Sequence, residues 1–390
     1  MSRRRRSALV LAVALVALMA AAILRLPLWS AQLVSGSLSS FFGRPASVGS
    51  VRYRFFPFTA EIRDVRVAGA TASAPPFLEV PRILAAPSLR PLWDRRLLLR
   101  VLEIESPTIR VNAFREGGDD LPHLQAGDGP AGMQMRIGRL VIRGGEVFVD
   151  HQRVPLDLDL PGFEGQLRQG AGRALVGRVA FGPGDVRFGG NAPLPLTTAM
   201  DLTVDGPRIT VTSGRLQTEG TDLSYRGALQ IAPLRGELLV QGPVDLDVLE
   251  RHVMRTGFGV RGEAHYDGVV LVEGSRLSVR GRLQGRGGSF SGAPVPRYGG
   301  EVSWDERGVR LRGFDVEALG GAATLDVDVP PSAGAPRLSG QIRGMDAEAL
   351  SRLVFGVGAA GLGASASGPL ALEWPRGRIR DLTGTLALDL

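Results

Sequence analysis

The sequence predicts a mainly β protein carried behind an N-terminal transmembrane helix, and three observations predict it. Eighteen uncharged residues, Ser7 through Leu24, follow four consecutive arginines, Arg3, Arg4, Arg5 and Arg6. With 53 glycines and 26 prolines, breakers fall too often for a mainly helical body and suit many short strands joined by turns. Apolar and polar residues then alternate, as in Leu156, Leu158 and Leu160 against Asp157 and Asp159, or Leu325, Val327 and Val329 against Asp326 and Asp328. Strands of period two have one wet and one dry face.

At about 1.5 Å per residue the apolar segment reaches roughly 27 Å as a helix, enough to cross most of a bilayer core. The arginine run stays cytoplasmic under the positive-inside bias, which puts the body on the far side of the membrane. Ala20, Ala21 and Ala22 offer the rival reading, a cleaved signal with a mature end at Ile23. Length, and the apolar Leu26, Leu28 and Trp29 beyond Arg25, favour an uncleaved anchor. Residues 28–42 place Leu33, Val34, Leu38, Phe41 and Phe42 near one stripe, a juxtamembrane helix ending at Gly43. Strands follow at 52–58 and 60–69, a short helix near Ser88, a long strand-like run at 97–114 and a polar loop at 115–132. Further alternating strands occupy 139–150, 200–214 and 308–319.

The C-terminal half contains a repeat of about 100 residues. Residues 244–253 (VDLDVLERHV) align with 345–354 (MDAEALSRLV), each a short helix opened by an aspartate N-cap, Asp245 or Asp346. Glycine-rich stretches and strand pairs at 273–285 and 376–390 follow. The resulting segments are 1–27, tail and anchor; 28–114, juxtamembrane helix and first β region; 115–132, linker; 133–243, β-groove region; 244–344, first repeat; and 345–390, a second repeat cut short.

Chemistry has little support. With Arg3–Arg6 and Arg25 set aside, residues 26–390 carry 41 basic and 39 acidic residues, so the high pI does not imply nucleic acid. There is no lysine and no cysteine, which excludes disulfides, zinc thiolates and thiol catalysis. His123, His151, His252 and His265 lie in separate elements without metal-ligand spacing and read as surface or turn residues. Residues 356–361 (GVGAAG) match a dinucleotide fingerprint, but they follow a helix rather than a strand. In 288–292 (GSFSG), Phe290 stands where a nucleophile elbow needs serine. Asp157/Asp159 and Asp326/Asp328 lack the third ligand and loop glycine of a calcium site. Neither an enzyme nor a cofactor is expected.

A sheet with one dry face must cover it with a second layer, an oligomer or a ligand. If it curls on itself, its inner face becomes an apolar trough in which acyl chains gain about 0.8 kcal/mol per buried methylene. A closed β-sandwich is the competing architecture. The leader, the segments 43–69, 86–111 and 137–150, the helix-then-strands repeat and the motif at 319–329 (LGGAATLDVDV) resemble AsmA-like proteins of the TamB branch. The resemblance implies an elongated, twisted, taco-like β-groove in the periplasm, anchored in the inner membrane and conducting phospholipids toward the outer membrane. Leu156, Leu158, Leu160, Leu325, Val327 and Val329 are then candidate groove residues. Members of that branch also engage an outer-membrane β-barrel partner through a C-terminal domain, which residues 376–390 do not match, so the chain reads as truncated. The alternative from another class is a scaffold for outer-membrane protein assembly that presents sheet edges and carries no lipid.

Overall fold

A computed structural model describes residues 30–71, 73–88, 96–116, 118–122, 134–231, 233–331, 334–355, 363–375 and 381–387. The expected anchor, the topology residues Arg3–Arg6, the glycine motif at 356–361 and most of the 115–132 linker lie outside the described residues. No described helix is long and apolar enough to cross a membrane. The mainly β expectation holds: the strands join into one sheet of 21.

The chain forms two compact units. The first takes its described residues from Met1–Arg110, Asp120–Glu146 and Glu164–Leu175. It opens with a helix, α1, over residues 30–42, which stops at Gly43 with φ +62, as its C′ position requires. Two serines of α1 fasten the following strand: Ser35 Oγ donates to Ala46 O at 2.6 Å, and Ala46 N donates to Ser39 Oγ at 2.8 Å. Strands β1 (Ala46–Phe55), β2 (Phe58–Val67), β3 (Leu78–Ser88) and β4 (Arg96–Glu105) pair antiparallel in sequence order. Ser88 ends β3, and the short helix expected to start near it falls on residues 89–95, outside the described residues. The run at 97–114 is not one strand either. Ser106, at φ +47, and Pro107 break it, because proline supplies no amide to the ladder, and β5 (Thr108–Ala113) restarts beyond them. Strands β6 (Gln134–Ile137) and β7 (Arg139–His151) lie parallel to β4, which makes the sheet mixed.

On one face of β2 to β4 the charges interlock. Arg82 donates to Glu61 at 2.9 Å and to Glu105 at 2.9 Å, while Glu61 also receives Arg63. The hydrogen bond from Arg63 is the main reason the Glu61 carboxyl lies below its ordinary pKa. Val51, Val65, Val67 and Val80 are buried.

The second unit comprises Val111–Asp119, Val147–Phe163 and the described part of Val176–Leu390. Its strands are drawn from β8 (Leu156–Gln169), β9 (Leu175–Phe188), β10 (Leu194–Asp205), β11 (Arg208–Thr218), β12 (Thr221–Ile231) and β13 (Leu234–Asp245). After an insertion come β14 (Arg261–Glu273), β15 (Arg276–Phe290), β16 (Ala293–Asp305), β17 (Gly308–Ala318), β18 (Gly321–Val329) and β19 (Arg337–Asp346). A second insertion precedes β20 (Ser365–Glu373) and β21 (Thr383–Leu386). From β11 to β21 every strand is antiparallel to the one before it. Two-residue turns make this possible. Ser291 and Gly292 (φ +49 and +84) close β15 onto β16, and Leu319 and Gly320 (φ +51 and +77) close β17 onto β18, as type I′ turns demand. The GSFSG motif is thus a hairpin end.

Both insertions are the helices expected from the repeat. The first is α2 (Leu246–Leu249), continued by a π turn at Glu250–Met254, and the second is α3 (Ala347–Phe355). Asp245 caps the first by accepting from Asp247 N at 2.8 Å and Val248 N at 3.3 Å. Asp346 accepts from Ala349 N at 2.7 Å at the start of the second. The i,i+4 pairs also repeat, Arg251 with Asp247 and Arg352 with Glu348.

Candidate apolar ligand site

A dry face survives a long strand only if its side chains stay in phase. In β17, Val309 and Leu311 occupy odd positions, whereas Phe314, Val316 and Ala318 occupy even ones. A bulge at Arg312–Gly313, with Gly313 at φ +53, inserts the extra residue that returns all five to one cavity wall. The amide that the bulge frees is taken by the neighbouring strand: Gly313 N donates to Asp326 Oδ1 at 2.8 Å. The same device recurs at Arg343–Gly344, where Gly344 N donates to Ser367 Oγ at 2.9 Å, and in the first unit Gly144 N donates to Glu164 Oε1 at 2.9 Å. Asp326 therefore does more than solvate the outer face.

Tyrosines lie flat over glycines on the same face. A Cβ at Gly285 would stand 2.3 Å from the Tyr298 ring, and one at Gly281 would stand 2.8 Å from the Tyr266 ring. Each phenol reaches a backbone carbonyl, Tyr298 to Glu263 O at 2.8 Å and Tyr266 to Arg280 O at 3.1 Å. Burial pushes the Tyr266 phenol up to about 12, with the Asp267 charge adding to it, and raises Tyr298 as well. Both rings present neutral, apolar surface.

These residues surround a cavity of about 870 Å³, near the upper end of the ~300–1,000 Å³ usual for ligand sites. Its walls come from β12 to β20 and Phe188 of β9, with Leu246, Leu249, Val253 and Met254 from the first insertion and Leu350 and Leu353 from α3. Phe258, Phe290, Phe314 and Trp304 add aromatic surface. Among the described residues, Thr221, Thr256, Ser289 and Ser291 bring hydroxyls to the lining, and Arg261 is the single charged one. No carboxylate or imidazole of the described residues lines the space. Among the described residues no group of His, Asp and Glu is placed to hold a metal ion.

A polar hook fixes the segment beyond α2. Arg255 turns into the left-handed region at φ 47, which carries Thr256 and Gly257 back to Glu250. The buried Glu250 carboxylate accepts from Thr256 Oγ1 at 2.8 Å and from Gly257 N at 2.6 Å. Burial raises its pKa above the ordinary value, and the hydrogen bonds from Thr256 and Gly257 oppose the rise without cancelling it. Trp374, only 1% exposed, donates from Nε1 to Thr256 O at 2.9 Å and meets Phe258 edge-on at 4.6 Å. Asn191 Nδ2 donates to His252 O at 2.6 Å, while the His252 ring bonds Ala192 O.

The expected groove residues divide into two sets. Leu325 and Val327, both half-buried, line the cavity, and Val329 is buried behind it without lining it. Leu156 and Leu160 are buried and Leu158 is half-buried, but none of the three lines the cavity: they pack with Val186, Leu194, Leu196 and Val248 in a cluster that adjoins it through Phe188 and Trp304. Two histidines are not surface residues. His151 is buried, accepts from Val154 N at Nδ1 and therefore donates from Nε2 to Ser275 O at 2.9 Å; His252 is buried as well. His265 is exposed, and His123 lies outside the described residues. Sequence reasoning missed Arg261, Glu250 and Trp374. The one available signal was the left-over tryptophan in LEWPRG, at the end of a strand.

No family model, curated protein or solved structure matches this chain.

Proposed function

We propose that this chain is an AsmA-like protein of the TamB branch that carries phospholipid along an apolar β-groove between the inner and outer membranes. Residues 7–24 hold it in the inner membrane with Arg3–Arg6 in the cytoplasm, and the body lies in the periplasm. The observation that supports this reading is the 870 Å³ cavity with one charge in its lining. Water in such a space would find few partners, whereas each methylene moved into it gains about 0.8 kcal/mol. About ten methylenes would supply on the order of 8 kcal/mol, enough to hold an acyl chain against the entropy of ordering it. The lining has hydroxyls but, among the described residues, no carboxylate or imidazole beside them to act as a base, which supports carriage rather than conversion of what enters.

The test is photocrosslinking of the full chain, reconstituted in vesicles whose phospholipid carries a photoreactive group on the acyl chain. Crosslinks to β15, β17 and β18 report cavity occupancy, and those to residues 7–24 report surrounding bilayer lipid separately. Occupied cavity peptides support carriage. Crosslinks confined to residues 7–24 would reject it in favour of an assembly scaffold.

A further inference from the structure

Arg261 stands where the cavity changes character. It is exposed at the first position of β14, lines the apolar space, and its guanidinium makes no hydrogen bond or ion pair among the described residues. It also borders a second recess of about 520 Å³, formed with Gly220, Gly262, Asp245, Asp247 and Glu263. The order from the cavity outward is therefore apolar wall, cation, carboxylates.

The three carboxylates are not equivalent. Asp245 spends Oδ1 on the helix N-cap, and its side chain lies against Gly220, where a Cβ would come within 2.7 Å of Oδ2. Asp247 is paired with Arg251 at 3.0 Å but keeps 42% of its side chain exposed. Glu263 is exposed, and its backbone carbonyl accepts from the Tyr298 hydroxyl. A purely anionic head group leaving the cavity would meet one guanidinium and then this acidic rim. A head group with phosphate nearest the tail and an ammonium beyond it meets opposite charge at both steps.

Resting on the reading of the cavity as a lipid site, we infer that the rim formed by Arg261, Asp247 and Glu263 recognises a zwitterionic aminophospholipid head group. Arg261 holds the phosphate through its fork of N–H donors, and the ammonium faces Glu263 and Asp247. The rim thus sets head-group preference, while the aromatic cavity takes the tail without discriminating.

The experiment uses the full chain in vesicles of equal parts phosphatidylethanolamine and phosphatidylglycerol, with the photoreactive acyl chain on one or the other. Cavity crosslinks are expected to favour phosphatidylethanolamine by roughly tenfold, the discrimination of about 1.4 kcal/mol that one charge-assisted contact supplies. Arg261→Gln should lower cavity yield from both lipids and Arg261→Lys should restore part of it, while the Asp247→Asn/Glu263→Gln double variant should bring the two lipids toward equal yield. Protease resistance of each preparation establishes folding. Unchanged yields in Arg261→Gln, or a preference for phosphatidylglycerol in the unaltered protein, would overturn the head-group assignment and leave the lipid cavity standing. Absence of cavity crosslinks with either lipid would overturn both.

Discussion

Replacing Glu250 tests whether the hook beyond α2 is held by a buried carboxylate, and the two informative variants differ in size and in pH response. Glu250→Ala strands the Gly257 amide and the Thr256 hydroxyl in a site where Glu250 is 7% exposed. Each stranded group costs about 1–3 kcal/mol. Relief of carboxylate burial offsets part of that, so a net loss of about 2–3 kcal/mol is expected. For a unit of this size that is a fall in Tm of about 5–10 °C. Glu250→Gln keeps one oxygen for Gly257 N and turns an amide toward the Thr256 hydroxyl, which can accept instead, so it should cost less than the alanine. The pH dependence has a definite sign. Burial raises the native pKa above 4.5, so the native state binds more protons than the unfolded chain just above that value. Stability contributed by Glu250 is therefore present below pH 4.5 and declines as pH rises through the native pKa. Asp157 is also raised, by burial first and then by Asp150, and would titrate in the same direction. The measurement is thus the difference between the unaltered protein and Glu250→Gln, by urea unfolding from pH 4 to 8. Parallel curves would refute the buried-carboxylate account, as would a Glu250→Ala loss below about 0.5 kcal/mol, the scatter of ordinary surface changes.

Trp374→Phe keeps the contact with Phe258 but orphans Thr256 O, and should cost about 1–3 kcal/mol, against about 3–5 for Trp374→Ala; equal losses in thermal unfolding would mean the indole N–H contributes nothing. Gly285→Val should push the Tyr298 ring off its neighbour and destabilise by about 1–3 kcal/mol, and pairing it with Tyr298→Ala should recover part of the loss if the clash is the cause. Val327→Arg should leave protease resistance intact while lowering acyl crosslinks in β15 and β17, because a half-buried position beside an open space lets the long side chain reach water. Leu158→Arg, in the cluster with Val186 and Val248, should unfold the protein more readily; the reverse order of protease sensitivity would contradict the placement of the two residues.

Local chemistry made much of this fold legible. The alternation at 156–160 and 325–329 identified strands and their dry faces, and the shared aspartates identified both insertions, because an N-cap acts over three residues and needs no distant partner. Gly43 marked the end of α1 for the same reason. What escaped was set by contacts across the sheet. The run GVRLRGFDVEAL reads as one alternation until the phase of Leu311 and Phe314 is compared, and only the ladder with β18 reveals the extra residue at Gly313. Trp374 meets Thr256 across 118 positions of sequence, so nothing near either residue announces the pair. Leu158 and Val327 carry the same local signal, yet one packs in a cluster and the other lines a cavity, a difference that depends on which strands lie opposite.

The two insertions explain why a cavity remains. Each begins at the end of a strand and folds back to bury apolar side chains, Leu246 and Val248 in the first, Ala347 and Leu350 in the second. Helical segments of nine residues each, α2 with its π turn and α3, reach only about 14 Å at 1.5 Å per residue, too short to cover a dry face that runs from β12 to β20. A lengthened helix would close the face into an ordinary core. Instead the first insertion turns away through the left-handed Arg255 and is fixed there by Glu250, a residue the second copy replaces with Ser351. The buried carboxylate is thus an addition to the repeat, placed where the chain must stop covering the sheet. The apolar surface beyond it, including Leu311, Leu325 and Val327, is left facing the cavity among the described residues.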